Sequence, residues 1–450
     1  MKITLHGATR EVTGSCYLIE SKKIKILVDC GMFQGSNFAQ SKNFAEFGFN
    51  PKEISAVVIT HAHLDHTGRL PLLFKRGFKG VVYLTPPTKE LTKLILEDAE
   101  GIMEENFRTM YTPKLYDQKD VALAVKNMKS IDDRSALCLK DLQIRFHNAG
   151  HILGSAFIQI TEASTNSTVT FSGDLGNIST PILQPKDKLN QTNVLFIEST
   201  YGNRLHENKE KRNKTLKQTI ISTIKKRGVL LIPSFAIERT QELLYDINDL
   251  VNNKLIPFVD IYMDSPMAAS ATDIFNKYPR YYNKKSLQAI ALGDKLFDFP
   301  GLKVTRSRDE SKEINHAKKP KIIIAGSGMM SGGRILHHLI RYLGDKKNTL
   351  LIIGYQSRGT LGRRLYNGET GVRIFDEYVQ VKANIVSIGG FSAHADQQML
   401  LDWINSADVL PDRIYCTHGE EEASAALATR IHEKFQIKAH VPRYSDEINL

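Results

Sequence analysis

The run His61-Ala62-His63-Leu64-Asp65-His66 places three imidazoles and one carboxylate within six residues. It follows the apolar, β-branched stretch from Ile54 to Thr60, so we predict a strand that delivers the run to its end. Imidazole nitrogen and carboxylate oxygen are ligands for zinc, and a catalytic zinc site leaves one position open for water. The run therefore predicts half of a two-metal site. A solvated polar loop is the alternative, which four ionisable side chains at this spacing disfavour.

Length and composition are typical of an intracellular globular protein. At 450 residues, 42% of them hydrophobic, the chain is long enough for two domains. Four scattered cysteines without a CxxC pair argue against a disulfide framework, and neither a signal peptide nor a membrane-spanning apolar run is recognisable. We therefore expect a soluble, cytoplasmic protein. The net charge of +11 favours nucleic acid as a partner, with solubility alone as the alternative.

Strand-like and helix-like segments alternate along the chain, which predicts an α/β fold. A segment rich in lysine and arginine, from Arg204 to Arg227, changes this character and predicts a domain boundary. Beyond it, Val229–Pro233 and Lys321–Ala325 are strand-like and indicate a second α/β unit. Candidate ligands recur at or after the strand-like segments: Asp29, His61, His63, Asp65, His66, His151, Asp174, Glu198, His394 and His418.

These candidate ligands and four further motifs resemble one family. The motifs are Glu198-Ser-Thr-Tyr-Gly202, Asp264-Ser-Pro-Met267, Gly326-Ser-Gly-Met-Met-Ser-Gly-Gly-Arg334 and Phe391-Ser-Ala-His394-Ala-Asp396. They resemble the metallo-β-lactamase superfamily and, within it, the β-CASP RNA-processing nucleases, which include the endonuclease subunit of the pre-mRNA 3′-end cleavage complex and its bacterial and archaeal relatives. The resemblance implies a metallo-β-lactamase αββα sandwich, residues 1–200 and 385–450, with an inserted α/β β-CASP domain, residues 201–384.

The resemblance also implies a site for two zinc ions per chain, with manganese as an alternative metal. It assigns the ligands in three groups: His61, His63 and His151 for one ion, Asp65, His66 and His418 for the other, and Asp174 as the bridge. Asp29 is expected to orient a ligand, because outer carboxylates fix the tautomer and ring angle of ligating histidines. A buried strand-end aspartate without this role is the alternative for Asp29.

A two-metal site suits hydrolysis of phosphodiester bonds. The leaving 3′-oxygen needs a proton at neutral pH, and the resemblance assigns this role to His394. The carboxylate of Glu198 would favour the imidazolium form of His394 and hold its ring in position. Asp65 and Asp174 complete the expected catalytic set.

The glycine-rich run from Gly326 to Arg334 lies between a predicted strand and a predicted helix. Backbone N–H groups at a helix start can cradle a phosphate, so we predict contacts to RNA phosphates from Ser327, Gly328 and Arg334. Arg358, in a second glycine-containing segment, would extend this track. A tight turn with solvated arginines is the alternative.

The resemblance favours RNA over DNA, because RNA-specific members of the family carry a histidine at the position of His418. The expected function is hydrolysis of single-stranded RNA by internal cleavage, by 5′–3′ exonuclease action or by both. A small-molecule hydrolase of the same fold and a DNA nuclease are the alternatives. A non-catalytic scaffold is disfavoured, since every expected ligand is present. The sequence leaves open a homodimer and further protein partners.

Overall fold

The structure is a computed structural model that describes residues 1–132, 135–177, 180–206, 209–354, 356, 359–388 and 392–450. The chain divides into two compact units. Unit 1 comprises Met1–Ile178, Gln184–Leu205 and His394–Leu450, and unit 2 comprises Ser179–Leu183 and His206–Ala393. No helix among the described residues is both long and apolar enough to cross a membrane.

The strands, numbered in chain order, are β1 (Lys2–Leu5), β2 (Tyr17–Glu20), β3 (Lys25–Val28), β4 (Ala56–Val58), β5 (Val81–Leu84), β6 (Met128–Ser130), β7 (Ala136–Leu139), β8 (Leu142–Asn148), β9 (Ala156–Glu162), β10 (Ser167–Phe171), β11 (Val194–Glu198), β12 (Val229–Pro233), β13 (Asp260–Asp264), β14 (Leu302–Thr305), β15 (Lys321–Ala325), β16 (Thr349–Ile353), β17 (Gly371–Ile374), β18 (Glu377–Gln380), β19 (Asn384–Ile388), β20 (Arg413–Thr417), β21 (Ala439–His440) and β22 (Glu447–Asn449).

The α-helices are α1 (Asn37–Ser41), α2 (Leu64–Thr67), α3 (Leu70–Lys75), α4 (Pro86–Met110), α5 (Gln118–Lys126), α6 (Lys209–Lys225), α7 (Arg239–Asn252), α8 (Pro266–Lys277), α9 (Lys284–Ala291), α10 (Arg308–Glu313), α11 (Ile335–Tyr342), α12 (Leu361–Tyr366), α13 (Gln397–Ile404) and α14 (Glu421–Phe435). Short 3₁₀ turns at Lys42–Phe44, Pro51–Glu53 and Pro279–Tyr281 complete the helical segments.

Unit 1 contains two mixed sheets of seven strands each. The first has the order β22-β1-β2-β3-β4-β5-β6 and is antiparallel up to β3 and parallel beyond it. The second has the order β21-β20-β11-β10-β9-β8-β7 and is parallel up to β10 and antiparallel beyond it. Parallel strands end at the same edge of a sheet, and open α/β folds place their sites at that edge.

The two sheets of unit 1 pack face to face between helices. Val28 from the first sheet and Phe171 from the second lie in one buried cluster. Leu73 of α3 and Leu96 of α4 cover the outer face of the first sheet, and Leu427 of α14 covers that of the second. Each fully buried side chain of this kind contributes about 1.5–3 kcal/mol to stability. The four layers are the αββα arrangement that the family resemblance implies.

Unit 2 is built on a six-stranded sheet with the order β14-β13-β15-β12-β16-β19, in which all neighbours are parallel. Every residue of β12, β15 and β16 is buried. Strands buried on both faces need helices on both sides, which the alternating helices of this unit supply. The strands β17 and β18 form a separate hairpin.

The end of unit 2 differs from the boundary that the sequence suggests. Residues 385–450 were expected to belong to the sandwich. In the structure β19 instead pairs with β16 in unit 2, with Ile353 opposite Ile388, and the unit continues to Ala393. β19 is the edge strand of this sheet and only Ile388 of it is buried, so its own sequence does not select a partner and tertiary packing decides the pairing.

Candidate metal centre

The histidine-rich run forms the end of a strand followed by one helical turn. β4 ends at Val58, His61 lies in the following loop, and His63 directly precedes α2. Asp65 and His66 lie within α2. The backbone at Gly31 passes so close to this turn that a Cβ there would lie 1.5 Å from the backbone oxygen of Asp65. Glycine at position 31 therefore allows the approach that positions the run.

The other expected ligands come from the second sheet of unit 1. His151 lies in the loop between β8 and β9, and Asp174 lies in the loop after β10. Glu198 is the last residue of β11, and His418 directly follows β20. Since β10, β11 and β20 are parallel neighbours, their carboxyl ends bring Asp174, Glu198 and His418 to one edge.

Two of these strand ends have a left-handed backbone. Asp29, which follows β3, has φ +59°, and His418 has φ +50°. Such a conformation costs a non-glycine residue on the order of 1–3 kcal/mol and persists where surrounding contacts impose it. Here the Asp29 N–H donates to the Val58 carbonyl (2.9 Å), and the His418 N–H donates to the Ala8 carbonyl (2.7 Å).

The side chains of His61, His63, His151 and Asp174 form a first cluster. His63 Nδ1 lies 3.0 Å from His61 Nε2 and 3.3 Å from His151 Nε2. Asp174 Oδ2 lies 3.4 Å from the Nε2 atoms of both His61 and His151. Three ring nitrogens and one carboxylate oxygen therefore converge on one point.

Asp65, His66 and His418 form a second cluster beside the first. The Nε2 atoms of His66 and His418 are 3.0 Å apart, and Asp65 Oδ2 lies 3.4 Å from His418 Nε2. Asp174 Oδ1 lies 3.4 Å from His66 Nε2 and 3.6 Å from His418 Nδ1. Asp174 thus faces the first cluster with one oxygen and the second with the other.

This donor set fits a pair of divalent cations. Asp174 Oδ1 is buried and has no hydrogen-bond partner among the described residues. In both clusters the ring nitrogens of two histidines face each other. Each such pair of nitrogen lone pairs has room for one proton between them. Buried polar atoms are normally satisfied, and a cation can accept all of these lone pairs at once.

Burial dominates the electrostatics of the first cluster. Burial lowers the pKa of His61, and it lowers the pKa of His63 to about 3. Burial, with help from the neighbouring His394, lowers the pKa of His151 well below its usual value. These imidazoles are therefore neutral at physiological pH, which is the form that coordinates metal.

Carboxylates dominate the electrostatics of the second cluster. Burial alone would lower the pKa of His66 and of His418, but Asp174 and further carboxylates raise both. Burial opposes ionisation of Asp174 as well, yet His418 and His66 hold its pKa well below the usual range. The carboxylates at this position thus favour a neighbouring positive charge, which a metal cation can supply.

Asp29 lies directly behind His66. Its Oδ2 accepts a hydrogen bond from His66 Nδ1 (2.7 Å) and one from the Ser15 hydroxyl (3.1 Å). Its Oδ1 accepts one from the Thr60 backbone N–H (2.8 Å). Asp29 therefore fixes the ring of His66 with Nε2 directed at the second cluster, which is the geometry expected of an orienting carboxylate.

His394 and Glu198 form an ion pair beside the first cluster. His394 Nδ1 donates to Glu198 Oε2 (3.0 Å) and lies 3.7 Å from Asp174 Oδ2. The other Glu198 oxygen accepts from the Leu175 N–H (2.5 Å), so the carboxylate is fixed from two sides. Burial lowers the pKa of His394, but Glu198 and Asp174 outweigh it and raise that pKa to about 9. His394 is thus an imidazolium at neutral pH in this geometry.

The predicted phosphate contacts lie in unit 2, in the loop between β15 and α11. Arg334 Nη1 donates to Asp264 Oδ1 (2.7 Å), and its Nη2 donates to the Arg306 carbonyl (3.1 Å). Asp264 also accepts hydrogen bonds from Thr305, Ser311 and His338. We call these five side chains, Asp264, Thr305, Ser311, Arg334 and His338, the Asp264 network.

Ser327 and Gly328 take part in hydrogen bonds within unit 2. The Ser327 hydroxyl accepts from the Ser331 N–H (3.0 Å), and the Gly328 carbonyl accepts from Gln356 Nε2 (3.1 Å). Arg358 lies outside the described residues. A phosphate-binding role of Ser327, Gly328, Arg334 and Arg358 therefore stays a prediction.

Two threonines that the sequence did not single out support the centre. The Thr60 hydroxyl donates to Asp29 and lies 3.1 Å from His61 Nδ1. The Thr200 hydroxyl lies 3.3 Å from His418 Nδ1. Thr60 directly precedes the histidine run, and Thr200 lies two residues after Glu198. Their closeness in the chain to expected site residues was the one sequence feature that could have identified them.

Three family descriptions match successive parts of the chain. The description "Metallo-beta-lactamase superfamily" matches residues 9–222, "Beta-Casp domain" matches residues 240–365, and "Zn-dependent metallo-hydrolase RNA specificity domain" matches residues 378–442. A structure titled as a protein of unknown function from Enterococcus faecalis V583 shares the fold, with a TM-score of 0.58, 12% identity, and coverage of 100% of this chain and 99% of that one.

Two curated relatives cover nearly all of the chain. Ribonuclease TTHA0252 of Thermus thermophilus is 39% identical over 427 residues, which is 95% of each chain. Transcription termination factor FttA of Methanosarcina mazei is 32% identical over 453 residues, which is 97% of this chain and 70% of that protein. The fold and the family expected from the sequence are both confirmed: this chain belongs to the β-CASP family of the metallo-β-lactamase superfamily.

Proposed function

We propose that this protein is a zinc-dependent ribonuclease that hydrolyses phosphodiester bonds in single-stranded RNA. The observation that carries the proposal is the pair of ligand clusters joined by Asp174, with the His394–Glu198 ion pair beside them. The match of residues 378–442 to an RNA specificity domain and the ribonuclease among its relatives support RNA as the substrate.

His61, His63 and His151 would hold one zinc ion, Asp65, His66 and His418 the other, and Asp174 would contact both. When bound, the two ions supply Lewis-acid activation of water and neutralise charge on the phosphoryl oxygens. The side chains provide the rest of the machinery. Asp29 orients His66, and Thr200 lies within hydrogen-bond distance of His418, so the ligand rings are held before substrate arrives.

His394 would act as the general acid. As the P–O bond breaks, the imidazolium donates its proton to the leaving 3′-oxygen, which would otherwise depart as an alkoxide. Glu198 contributes by holding the ring through Nδ1 and by stabilising its positive charge.

The test is a cleavage assay with purified protein of known metal content. End-labelled single-stranded RNA and DNA of one sequence, each with a 5′-phosphate or a 5′-hydroxyl, are incubated with the wild type and with Asp65→Ala. We expect two zinc ions per chain and cleavage of RNA only, abolished in Asp65→Ala. The product ladder then shows whether cleavage is internal or proceeds from the 5′ end.

Three results would contradict the proposal. Equal cleavage of DNA would favour a DNA nuclease, and absence of cleavage with two metals bound would favour a small-molecule hydrolase. Full activity of a metal-free protein would remove the metal centre from the reaction. Activity restored by manganese but not by zinc would correct the metal while leaving the reaction in place.

A further inference from the structure

The amino edge of the unit 2 sheet carries an unusual concentration of positive charge. Four neighbouring strands, in the order β15-β12-β16-β19, are parallel and therefore begin at the same edge. The segments just before them contain Lys318 and Lys319, Lys225, Lys226 and Arg227, Lys346 and Lys347, and Lys382. All eight side chains are exposed, and we call this surface the basic edge.

Hydrogen bonds and one close backbone approach connect three of these segments. The Val229 N–H at the start of β12 donates to Asn348 Oδ1 (2.8 Å), and a Cβ on Gly228 would lie 1.9 Å from the Lys347 carbonyl oxygen. The N–H groups of Lys382 and Ala383 both donate to the Leu343 carbonyl (2.8 and 2.9 Å). With strands about 4.8 Å apart, four neighbours spread the charges over roughly 14 Å.

The positive charge of the basic edge is hardly compensated. Asp345 is the single acidic residue in these four segments, and it lies 3.8 Å from Lys319 Nζ. The other seven cations have no carboxylate within 4 Å among the described residues. Uncompensated charges at this density produce a local field that attracts a polyanion.

Lys321 is the first residue of β15 and lies two residues after Lys319 of the basic edge. Its ammonium group is buried and donates to the carbonyls of Ile314 and Ala317. Burial lowers the pKa of Lys321 to about 8, and repulsion from Lys319 and Arg341 adds to the effect. The lowered pKa is thus mainly an effect of burial, to which the charge of Lys319 on the basic edge adds.

The composition of the basic edge distinguishes nucleic acid from a protein partner. Seven of the eight cations are lysines, and no large hydrophobic side chain is exposed in these segments. Protein–protein interfaces are depleted in lysine and enriched in aromatic residues and arginine. Lysine acts as a point charge that suits phosphate, and without aromatic rings the surface offers no platform on which bases stack.

We infer that the basic edge binds the sugar-phosphate backbone of RNA, using residues other than those of the metal centre. This inference rests on the proposed function, since it takes RNA as the polyanion. The contacts are electrostatic, so binding depends strongly on salt and hardly on sequence. The same lysines would therefore contribute to binding of single-stranded and double-stranded RNA.

The chain offers a matched control for the test. Lys346 and Lys347 form an exposed pair two residues before β16, and Lys22 and Lys23 form an exposed pair shortly before β3 in unit 1. We compare Lys346→Gln/Lys347→Gln with Lys22→Gln/Lys23→Gln, after checking that both melt like the wild type. Lys225→Gln/Lys226→Gln serves as a second, independent variant of the basic edge.

Affinity for a fluorescent single-stranded RNA is measured in EDTA over a range of salt concentrations. Each phosphate contact contributes about 0.7 to the slope of log K against log salt, so loss of two contacts should reduce the slope by about 1.4. We expect weaker binding and this smaller slope in both basic-edge variants. The Lys22/Lys23 variant should behave like the wild type.

The possible failures are distinguishable. Basic-edge variants that match the Lys22/Lys23 control in affinity and slope would overturn the inference. If they instead keep RNA binding but lose binding to poly-glutamate, the surface takes an acidic protein and the assignment to RNA is wrong. Because binding is measured in EDTA, lack of RNA cleavage by the metal-loaded wild type would contradict the proposed function alone.

Discussion

The metal centre of unit 1 and the Asp264 network of unit 2 are both buried clusters of aspartate and histidine, yet they differ in their balance of donors and acceptors. In the network, Asp264 accepts from Arg334, His338 and two hydroxyls, so its charge is matched by protein groups. In the centre, Asp174 has an oxygen with no hydrogen-bond partner among the described residues, and ring nitrogens face each other.

The difference teaches how a metal site can be told from a structural polar cluster. Residue types alone do not separate them, because both contain histidine beside a buried carboxylate. An excess of lone pairs over protons calls for a cation, whereas a carboxylate surrounded by its own donors is complete. Substitutions in the centre should therefore change metal content and catalysis, and those in the network should change stability.

The largest effect is expected for Asp174→Asn. This change keeps the shape of the side chain but removes the charge that faces both clusters, so we expect loss of bound metal and cleavage at background level. Metal analysis and the RNA cleavage assay measure the two losses. Asp264→Asn is the counterpart in unit 2 and should retain the full metal content. Equal metal loss in both variants would contradict the distinction between a metal site in unit 1 and a structural cluster in unit 2.

The next effect is expected for His394→Ala. Loss of a general acid slows cleavage by roughly 10²- to 10⁴-fold, while the seven proposed metal ligands stay in place. Single-turnover cleavage and metal analysis of the same preparation check the two halves of this prediction. A variant that cleaves RNA at the wild-type rate would exclude His394 from proton transfer.

Asp264→Ala should act on stability. Removing one partner of a buried ion pair leaves the other uncompensated and costs about 3–5 kcal/mol of unfolding free energy. Asp260→Ala is the matched control, since Asp260 lies at the other end of β13 in a partly exposed pair with Lys303 (2.9 Å) and should cost at most about 1 kcal/mol. Denaturant unfolding measures both. Similar losses in the two variants would show that the network is not a stabilising element.

Asp29→Asn should lower metal affinity by about 10- to 100-fold without removing a ligand. The amide can present an N–H to His66 Nδ1 in place of the oxygen that now accepts its proton, so the ring loses its fixed orientation. Competition with a chelator of known affinity measures the change. Unaltered zinc affinity would leave Asp29 as a buried strand-end aspartate of the fold.

The smallest change is expected in the pH profile. His394 must carry its proton to act as an acid, and Glu198 and Asp174 raise its pKa to about 9 against the effect of burial. Cleavage should thus fall by about tenfold per pH unit above that pKa. Bound cations would offset part of the Asp174 charge, so the pH above which cleavage falls would lie below 9. Glu198→Gln should lower that pH further. If kcat/KM falls at the same pH in the wild type and in Glu198→Gln, the ion pair has no role in holding the proton.

Local pattern was enough to predict much of the fold and the candidate ligands. The α/β class follows from alternating segments and the αββα sandwich from the family resemblance, and both are confirmed. The segments Val229–Pro233 and Lys321–Ala325 form the strands expected of them. Strand β16 was not predicted, and β19 joined the other unit, because pairing partners lie outside any local window.

The sequence by itself determined the residue types of the candidate ligands and their places at strand ends. Strand periodicity and glycine turns are local properties of the chain, so they can be recognised without the fold. Three relations were decided by the tertiary structure alone. Glu198 lies 3.0 Å from His394 although 196 residues separate them in the chain, and Asp174 faces both clusters. The guanidinium of Arg334 is paired with Asp264. The tertiary structure also gathered four separate basic segments at one edge. These relations depend on which strands pair and how sheets pack, and that choice minimises the free energy of the whole fold rather than of any segment.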